Sequence, residues 1–332
     1  RSASEDVKVA GYATVATDFE SVPCLEMDAD AVSEVTLMCN GIALNETDAT
    51  EFYIVLPAQT YTGGFTLEIL GPSGVMTKTA DGDIVMERSQ LRAIPEFVYE
   101  PEELVEPSEE FEGEGTQQSP FLINNVSDLL LFRDLVNTQG VEIKGVPAAQ
   151  ACYRQTADIS LESACGKLWG SWVPIGNYAS DEALMFDGIY DGGGYAITDL
   201  YIDKADADYQ GLFGMTSANI SNLRVSGSVV GHDYVGIVAG GYYVDHYART
   251  GIFNVETEGS VSGRYYVGGI SGEFATAEGC VNKASVTGSY AVAGILGVSN
   301  TSLTRCVNEG TVTGGSYTGG VSGYHNAGLL FD

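Results

Sequence analysis

Acidic residues at tight turns are the first side chains in this sequence that could do chemistry. They form four groups, at Asp187 and Asp191, at Asp203, Asp206 and Asp208, at His232-Asp233, and at Asp245-His246. Two carboxyl groups held roughly 5 to 10 Å apart, with pKa values split by their surroundings, could cleave a glycosidic bond. Spacing along the chain does not fix that separation. The glycine-rich turn around Asp187 and Asp191 instead predicts Asx-turn hydrogen bonds.

The rest of the sequence lacks the motifs that would support a catalytic prediction. Gly-x-Ser-x-Gly, His-Glu-x-x-His and phosphate-binding loops are absent, and no cysteines have the Cys-x-x-Cys spacing of a zinc site. We therefore predict no catalytic residue, no metal site and no cofactor. Calcium binding by the acidic loops stays open at this point.

Tyrosines are the better candidates for a functional site. The predicted ligand-binding residues are Tyr234, Tyr242, Tyr243, Tyr247, Tyr265 and Tyr266, and Tyr290 and Tyr317 occupy similar places. A tyrosine offers a flat apolar face and a hydroxyl group, which suit a sugar ring or a peptide side chain. If these residues align along one side of a repeating scaffold they form a binding face. The alternative is that they only cover its flank.

The elements that would position these tyrosines belong to a repeat. A short apolar phrase bounded by glycine occupies residues 211–214, 235–240, 267–272, 292–297 and 318–323. A second phrase begins at Asn222, Asn254, Asn282 and Asn308, in steps of about 32, 28 and 26 residues. Short runs of Val, Ile and Thr separated by Gly and Asn, without helical periodicity, predict a parallel β-solenoid. The variable step predicts loops of different size at one corner.

These phrases resemble the GLUG repeats of bacterial surface proteins and of the non-catalytic part of immunoglobulin A peptidases. Residues 115–123, 156–161, 172–176 and 186–195 are similar to the segment that precedes such repeats, so the resemblance covers about residues 113–332. It implies a right-handed parallel β-helix over 116–332. The zinc-peptidase signature is absent, and the resemblance therefore implies no proteolytic activity.

The first hundred residues predict a different domain. Strand-like segments at 8–15, 34–38, 51–56, 65–70, 75–79 and 83–87 are separated by turn signals such as Asn40-Gly41 and Asp81-Gly82. They predict an antiparallel β-sandwich over 1–98, followed by an acidic, proline-containing linker over 99–115. Residues 52–61, 65–69 and 84–91 are similar to fimbrillin-like domains of Bacteroidetes surface proteins. That resemblance implies a cell-surface or secreted protein, tethered as a lipoprotein.

One helix is predicted, with Ser127 as its N-cap, Asp128 in its first turn and an apolar stripe that includes Leu129 and Phe132. We expect it to cover the open end of the solenoid, where core and strand edges would otherwise be exposed. The apolar residues at 329–331 either pack on the last repeat or form a contact surface.

Composition narrows the partners. With 45 acidic and 15 basic residues, the formal net charge of −30 repels nucleic acids and anionic lipids. No apolar run is long enough to span a membrane, and a lipid anchor upstream of residue 1 stays open. The cysteines could be thiols or disulfides, with Cys24–Cys39, Cys152–Cys165 and Cys280–Cys306 as the pairs considered.

Taken together, the sequence predicts an all-β, two-domain protein with a short capping helix, outside the cell or on the outer-membrane surface. The predicted function is non-catalytic adhesion or ligand binding, with a glycan or a host or bacterial surface protein as partner. A carbohydrate-active enzyme on the β-helix is the first alternative, and a structural stalk without a ligand is the second.

Overall fold

The computed structural model describes residues 13–16, 24–27, 53–71, 74–87, 107–167, 170–179, 182–242, 250–325 and 330–331. Strands dominate these residues, as the all-β prediction requires. The chain divides into two compact units, Arg1–Leu104 and Val105–Asp332.

Unit 1 contains antiparallel strand pairs. Its strands are β1 (Ala13–Ala16), β2 (Cys24–Met27), β3 (Thr60–Tyr61), β4 (Gly64–Gly71), β5 (Gly74–Asp81) and β6 (Ile84–Val85). The pairs are β1–β2, β3–β6 and the β4–β5 hairpin. The predicted strand at 51–56 is wrong for its described part, because residues 53–56 lie outside every strand and Val55 is 92% exposed. The predicted strand at 34–38 lies outside the described residues.

Unit 2 is built of short strands. They are β7 (Phe121–Ile123), β8 (Glu142–Ile143), β9 (Val146–Pro147), β10 (Cys152–Gln155), β11 (Ile159–Ser160), β12 (Tyr178–Ala179), β13 (Glu182–Ala183), β14 (Ile189–Asp191), β15 (Ala196–Asp203), β16 (Phe213–Thr216), β17 (Asn219–Val230), β18 (Asp233–Gly236), β19 (Ala239–Tyr242), β20 (Gly251–Ser262), β21 (Tyr265–Gly268), β22 (Ser271–Glu278), β23 (Val281–Asn282), β24 (Ser285–Thr287), β25 (Tyr290–Ala293), β26 (Leu296–Thr304), β27 (Val307–Asn308), β28 (Val312–Thr313), β29 (Ser316–Gly319), β30 (Ser322–His325) and β31 (Leu330–Phe331).

Most of these strands form one large, curled parallel sheet, and β18, β21, β25 and β29 form a separate parallel ladder of four. Each strand pairs with its equivalents in the repeats before and after it, as β17 does with β15 and β20. Successive repeats therefore stack at the usual strand spacing of about 4.8 Å. The Val, Ile and Leu side chains that alternate inward are buried, for example Val235, Val267 and Val292 at 0% exposure.

The asparagines of the second phrase do not all occupy equivalent places. Asn222 and Asn254 are neighbours, both exposed and both left-handed, with φ of 54° and 52°. Asn282 is instead equivalent to Thr257, 25 residues earlier, and its buried amide accepts a hydrogen bond from the Thr257 hydroxyl and donates one to Asn308. The predicted step of 28 residues is therefore wrong, because asparagine serves two different purposes, an exposed corner and a buried ladder.

The helix α1 (Val126–Val136) supplies a ring to the core at the first repeats. Phe132 lies 4.0 Å from Tyr153 and 5.0 Å from Phe186, measured between ring centroids. The N-cap is Asn125 and not the predicted Ser127, because Asn125 has extended backbone and its side chain accepts a hydrogen bond from the Asp128 N–H. A 3₁₀ helix (Ala148–Gln150) follows. Among the described residues, no helix is long and apolar enough to cross a membrane.

The end of the predicted linker packs on unit 2. Phe111 is 3% exposed and contacts Phe121 and Tyr153, with ring centroids 5.4 and 5.7 Å apart. The Leu122 N–H donates to the Glu112 carbonyl. The acidic composition of 99–115 concealed this anchor, since a few apolar residues scattered among glutamates give no periodic signal.

At the other end of unit 2, β31 pairs in parallel with β26, so two of the final apolar residues add a strand to the last described repeat. Cys152, Cys165, Cys280 and Cys306 are free thiols. Cys24 lies in β2, and Cys39 lies outside the described residues.

Candidate functional site

The four-stranded ladder has one unusual backbone position in every strand. The second residue of β18, β21, β25 and β29 is left-handed, at Tyr234, Tyr266, Ala291 and Tyr317, with φ between 50° and 58°. Tyr209 takes the same conformation one repeat earlier, with φ of 56°. In β18 and β21 the next residue, Val235 or Val267, is buried in the core, and the tyrosine before it is directed outward along the same side of the repeats, whereas Ala291 is itself buried.

The outward side chains form what we call the tyrosine row, composed of Tyr209, Tyr234, Tyr266, Tyr290, Tyr317 and Tyr324. Consecutive members contact each other through their rings along its whole length. Tyr290 precedes Ala291 in β25, and Tyr324 comes from the adjacent strand β30. The row is therefore continuous over five repeats although its members are not all at equivalent positions.

The first half of the row, the stacked segment, consists of Tyr209, Tyr234 and Tyr266. Their ring centroids are 4.7 Å apart at both steps, and the ring planes differ by 10° and 30°. Both faces of the Tyr234 ring are therefore covered. Burial, and then the neighbouring Tyr209, raise the pKa of Tyr234 to about 12, so its hydroxyl stays protonated.

The second half, the open segment, consists of Tyr290, Tyr317 and Tyr324. Here the rings meet edge to face, with interplanar angles of 68° and 88° at centroid distances of 5.0 and 5.6 Å. Tyr317 is 55% exposed and Tyr324 is 41% exposed. In an edge-to-face pair the edge of one ring covers only one face of the other, so the exposed Tyr317 and Tyr324 offer aromatic surface to a ligand.

A half-buried carboxyl group, Glu273, lies close enough to the stacked segment to influence Tyr234. Burial raises the pKa of Glu273, and its Oε1 accepts a hydrogen bond of 2.7 Å from Asn300 Nδ2. Glu273 directly follows the last glycine of its apolar phrase, as Tyr324 does two repeats later.

A charged pair borders the row at Asp233 and Arg264. Arg264 donates from Nε and Nη2 to the two Asp233 oxygens, at 2.9 and 2.6 Å, and its guanidinium carbon lies 4.2 Å from the centroid of the Tyr265 ring. Partial burial alone would raise the pKa of Asp233, but the hydrogen bonds and charge of Arg264 and the charge of His232 outweigh it and hold that pKa below its ordinary value.

Asp208, His232 and Asp233 have ligand atoms within 4.8 Å of one another, which is the geometry of a possible metal site within the described residues. The group is already satisfied internally. His232 Nδ1 lies 2.8 Å from Asp208 Oδ1, and both Asp233 oxygens accept hydrogen bonds from Arg264. Ion pairing accounts for the cluster without a bound cation.

The six predicted tyrosines do not all lie in the tyrosine row. Tyr234 and Tyr266 lie in the row, and Tyr265 flanks it, with its ring edge to face against Tyr266 and Tyr290. Tyr242 packs on Phe274 instead, 5.2 Å away, and its hydroxyl accepts a hydrogen bond from Thr250. The reason is strand alternation, because the preceding residue is the one that faces the row. Tyr243 and Tyr247 lie outside the described residues.

Two members of the row, Tyr209 and Tyr324, were not predicted. Tyr209 stands two residues before Gly211, as Tyr234 stands two before Gly236, and Tyr324 directly follows Gly323. Position relative to the glycines was therefore the signal that could have identified them, rather than the density of tyrosines.

The acidic candidates are placed at turns or in ion pairs. Asp191 Oδ1 accepts hydrogen bonds from the Gly193 N–H and from Asn222, which is the predicted Asx turn. The N–H of Asp203 donates to the Ser171 hydroxyl. Asp208 and Asp233 come together beside His232, and, although burial alone would raise the pKa of Asp233, Arg264 is the main partner that holds that pKa below its ordinary value. Asp245 and His246 lie outside the described residues.

Two open depressions, of about 290 and 350 Å³, lie away from the row. The first is bordered by Arg133 and Asn137, the second by Asn222 and Asn254. Neither is lined by a tyrosine. Neither depression therefore provides a pocket for a small molecule beside the row.

Comparisons with known proteins give two relatives. No family model matches the chain. A halomucin of Haloquadratum walsbyi is 29% identical over 244 residues, which is 71% of this chain and 2% of the halomucin. An Evansella cellulosilytica protein, provisionally named a Gly-rich membrane protein, is 31% identical over 120 residues, which is 36% of this chain and 12% of that protein. The chain therefore spans only a small part of the length of these relatives.

A solved structure is similar in fold. It is the crystal structure of a Bacteroides ovatus protein provisionally described as an immunoglobulin A1 protease, with a TM-score of 0.54 and 20% sequence identity over 66% of each chain. At this identity the likeness concerns the fold alone, since one fold hosts many functions.

Proposed function

We propose that this chain is a non-catalytic surface adhesin whose tyrosine row binds a glycan or a protein. The observation that carries the proposal is the continuity of the row, six tyrosines in ring contact across five repeats. Three of its corner positions combine an exposed or half-exposed ring with a left-handed backbone, at Tyr209, Tyr234 and Tyr266, and Tyr317 repeats the combination.

The proposed architecture is a right-handed parallel β-helix of the GLUG-repeat type, preceded by a fimbrillin-like β-sandwich. In-register parallel pairing between residues 25, 26 or 32 apart supports the β-helix. The antiparallel β4–β5 hairpin is compatible with the sandwich. The handedness and both family assignments follow from the sequence resemblance.

Location outside the cell is part of the proposal. One relative bears the name of a mucin and the other of a membrane protein, and both names are compatible with the cell surface. A strongly acidic chain is also suited to staying soluble when exposed. A lipid anchor upstream of residue 1 would complete the proposed attachment.

The experiment is a binding screen of the full chain against a glycan array and a panel of host-matrix and bacterial surface proteins. The test variant is the double substitution Tyr317→Ala/Tyr324→Ala, and the matched control is Tyr195→Ala, a 38% exposed tyrosine outside the row. We expect saturable binding that is at least about tenfold weaker in the double variant, since interface tyrosines commonly contribute more than 1 kcal/mol each. Binding that is equal in both variants would remove the row from consideration.

Two other results would replace the proposal. Absence of saturable binding to every probe favours the structural stalk. Cleavage of a polysaccharide by the purified chain, abolished by Asp208→Asn, favours a carbohydrate-active enzyme.

A further inference from the structure

The two halves of the tyrosine row differ in what they can offer a ligand. In the stacked segment the faces of the Tyr234 ring are occupied by its neighbours, which leaves mainly ring edges and hydroxyl groups at the surface. In the open segment the rings stand nearly perpendicular to one another. A group that binds to aromatic faces is therefore directed to Tyr317 and Tyr324, the exposed members of this segment.

The change from stacked to perpendicular rings has a local cause at Ala291. This residue takes the corner position that carries tyrosine in β18, β21 and β29, and it has no ring to continue the stack. Tyr290, from the preceding position, contacts both Tyr266 and Tyr317 in its place, at 86° and 68°. Ala291 is itself fully buried. The alanine thus creates an aromatic corner where uninterrupted tyrosines would give a closed stack.

The row already holds a cation on one of its flanking rings. The Arg264 guanidinium lies 4.2 Å from the centroid of Tyr265, and the Tyr265 ring is 5.8 Å from that of Tyr290. A guanidinium group is attracted to an aromatic face by the ring quadrupole and is weakly hydrated, so it loses little on leaving water. The contact is one example, beside the row, of a guanidinium group lying on a tyrosine ring.

The charge of the whole chain points to the same ligand class. A formal net charge of −30 concentrates cations near the surface and repels sulfated or uronic polymers and phosphates. Neutral sugars gain nothing from this field. A basic protein segment gains both long-range attraction and aromatic faces on contact.

We infer that the open segment docks arginine side chains of a basic partner protein, with the guanidinium groups lying on the exposed rings of Tyr317 and Tyr324. The inference rests on the proposed function and names its partner class. Long-range attraction would bring the partner to the surface, and the rings would decide where it binds.

The test is calorimetric titration of the full chain, in about 0.15 M salt so that exposed charges are screened, with two peptides that differ only in four positions. One peptide carries four arginines and the other carries four citrullines, which keep the shape and lose the charge. The variants are Tyr317→Ala and Tyr317→Phe, with Tyr195→Ala as control. Ala291 shows that alanine is tolerated at this backbone corner, with φ of 50°, so Tyr317→Ala is expected to fold.

We expect the arginine peptide to bind more tightly than the citrulline peptide. Tyr317→Ala should weaken arginine-peptide binding roughly three- to thirtyfold, the range of exposed to desolvated cation–π contacts, whereas Tyr317→Phe keeps the face and most of the affinity. Tyr195→Ala should bind like the unsubstituted chain.

Two outcomes separate failure of this inference from failure of the proposed function. If Tyr317→Ala leaves arginine-peptide binding unchanged, the attraction comes from bulk charge only and the inference is overturned. The proposed function would still stand if binding of a neutral glycan in the array is weakened by Tyr317→Ala/Tyr324→Ala. If neither ligand depends on these rings, both proposals fail.

Discussion

At the residue scale, the corner tyrosines adopt a conformation that side chains other than glycine usually avoid. A left-handed residue costs roughly 1–2 kcal/mol, yet Tyr209, Tyr234, Tyr266 and Tyr317 all adopt it. Each ring contact along the row stabilises the fold by about 0.5–1.5 kcal/mol beyond the effect of burial. These contacts offset part of the cost at the tyrosine corners, and Ala291 adopts the same conformation without a ring.

A second residue-scale contact links two thiols in successive repeats. Cys280 is fully buried and Cys306 is half-buried at the equivalent place one repeat later. A hydrogen bond from the Cys280 thiol lowers the pKa of Cys306 to about 7, and the same bond together with burial raises the pKa of Cys280. We expect Cys306 to react with iodoacetamide at a rate that rises with pH around a midpoint near 7, because the thiolate is the nucleophile.

The measurement is peptide mapping by mass spectrometry of the native chain after timed alkylation at a series of pH values. Cys280→Ala removes the donor and should move the Cys306 midpoint up toward the ordinary value of about 8.5. A midpoint at or above that value in the unsubstituted chain would show that the two thiols do not interact.

Residue types alone predicted part of the tyrosine row and its flank, and ligand binding there stays a prediction. Tyr234, Tyr265 and Tyr266 were proposed because tyrosines cluster there, and their rings are in contact, whereas Tyr242, proposed for the same reason, packs on Phe274. Clustering along the chain does not reveal which face of a strand a side chain occupies. That information lies in the distance from the glycines, which sets the register of each repeat.

At the element scale, α1 contributes to the core through one side chain more than through its length. Phe132 is fully buried and contacts the rings of Tyr153, Phe186, Tyr190 and Phe213. These rings come from three separate strands and one connecting segment of the first repeats. The periodicity of α1 predicted a helix that caps the repeats, but it could not identify the side chain that enters them.

Phe132→Ala should lower the free energy of unfolding by about 3–5 kcal/mol, the usual range for a buried phenylalanine, because the surrounding rings cannot close the cavity. The matched control is Asp134→Ala, since the Asp134 side chain on the same helix is 45% exposed and changes at such sites stay within about 0.5 kcal/mol. Urea unfolding followed by circular dichroism measures both. Equal midpoints for the two variants would mean that α1 does not stabilise the repeats.

The parallel stacking of the strands was predictable from the sequence, but the register between all of them was not. Glycine-bounded apolar runs indicated parallel stacking, because only one structural unit repeated along an axis gives that recurrence. The register between β20 and β23 was not, since Asn254 and Asn282 are the same residue type in different roles, at an exposed corner and in a buried ladder. A repeat inferred from residue types gives the correct register only where each residue type has the same structural role in every repeat.

At the scale of the whole molecule, the division into units decides what a stable fragment contains. The sequence places the second domain at 116–332, after an acidic linker, whereas unit 2 begins at Val105 and includes Phe111. The difference is eleven residues, of which one side chain packs on the core and several backbone groups pair with it.

Two fragments test whether the stable second unit begins at residue 105 or at residue 116. A fragment of residues 105–332 should unfold cooperatively, because it keeps Phe111 against Phe121 and the hydrogen bond from the Leu122 N–H to Glu112. A fragment of residues 116–332 loses both and exposes the end of the core. Losing a buried phenylalanine costs about 3–5 kcal/mol, and each kcal/mol lowers the melting temperature of a unit of this size by about 2–4 °C, so we expect the shorter fragment to melt roughly 6–20 °C lower. Scanning calorimetry gives both values, and Phe111→Ala in the longer fragment isolates the ring from the backbone contacts. Identical melting temperatures for the two fragments would show that residues 105–115 do not stabilise unit 2 and belong to the linker, as their acidic composition suggests.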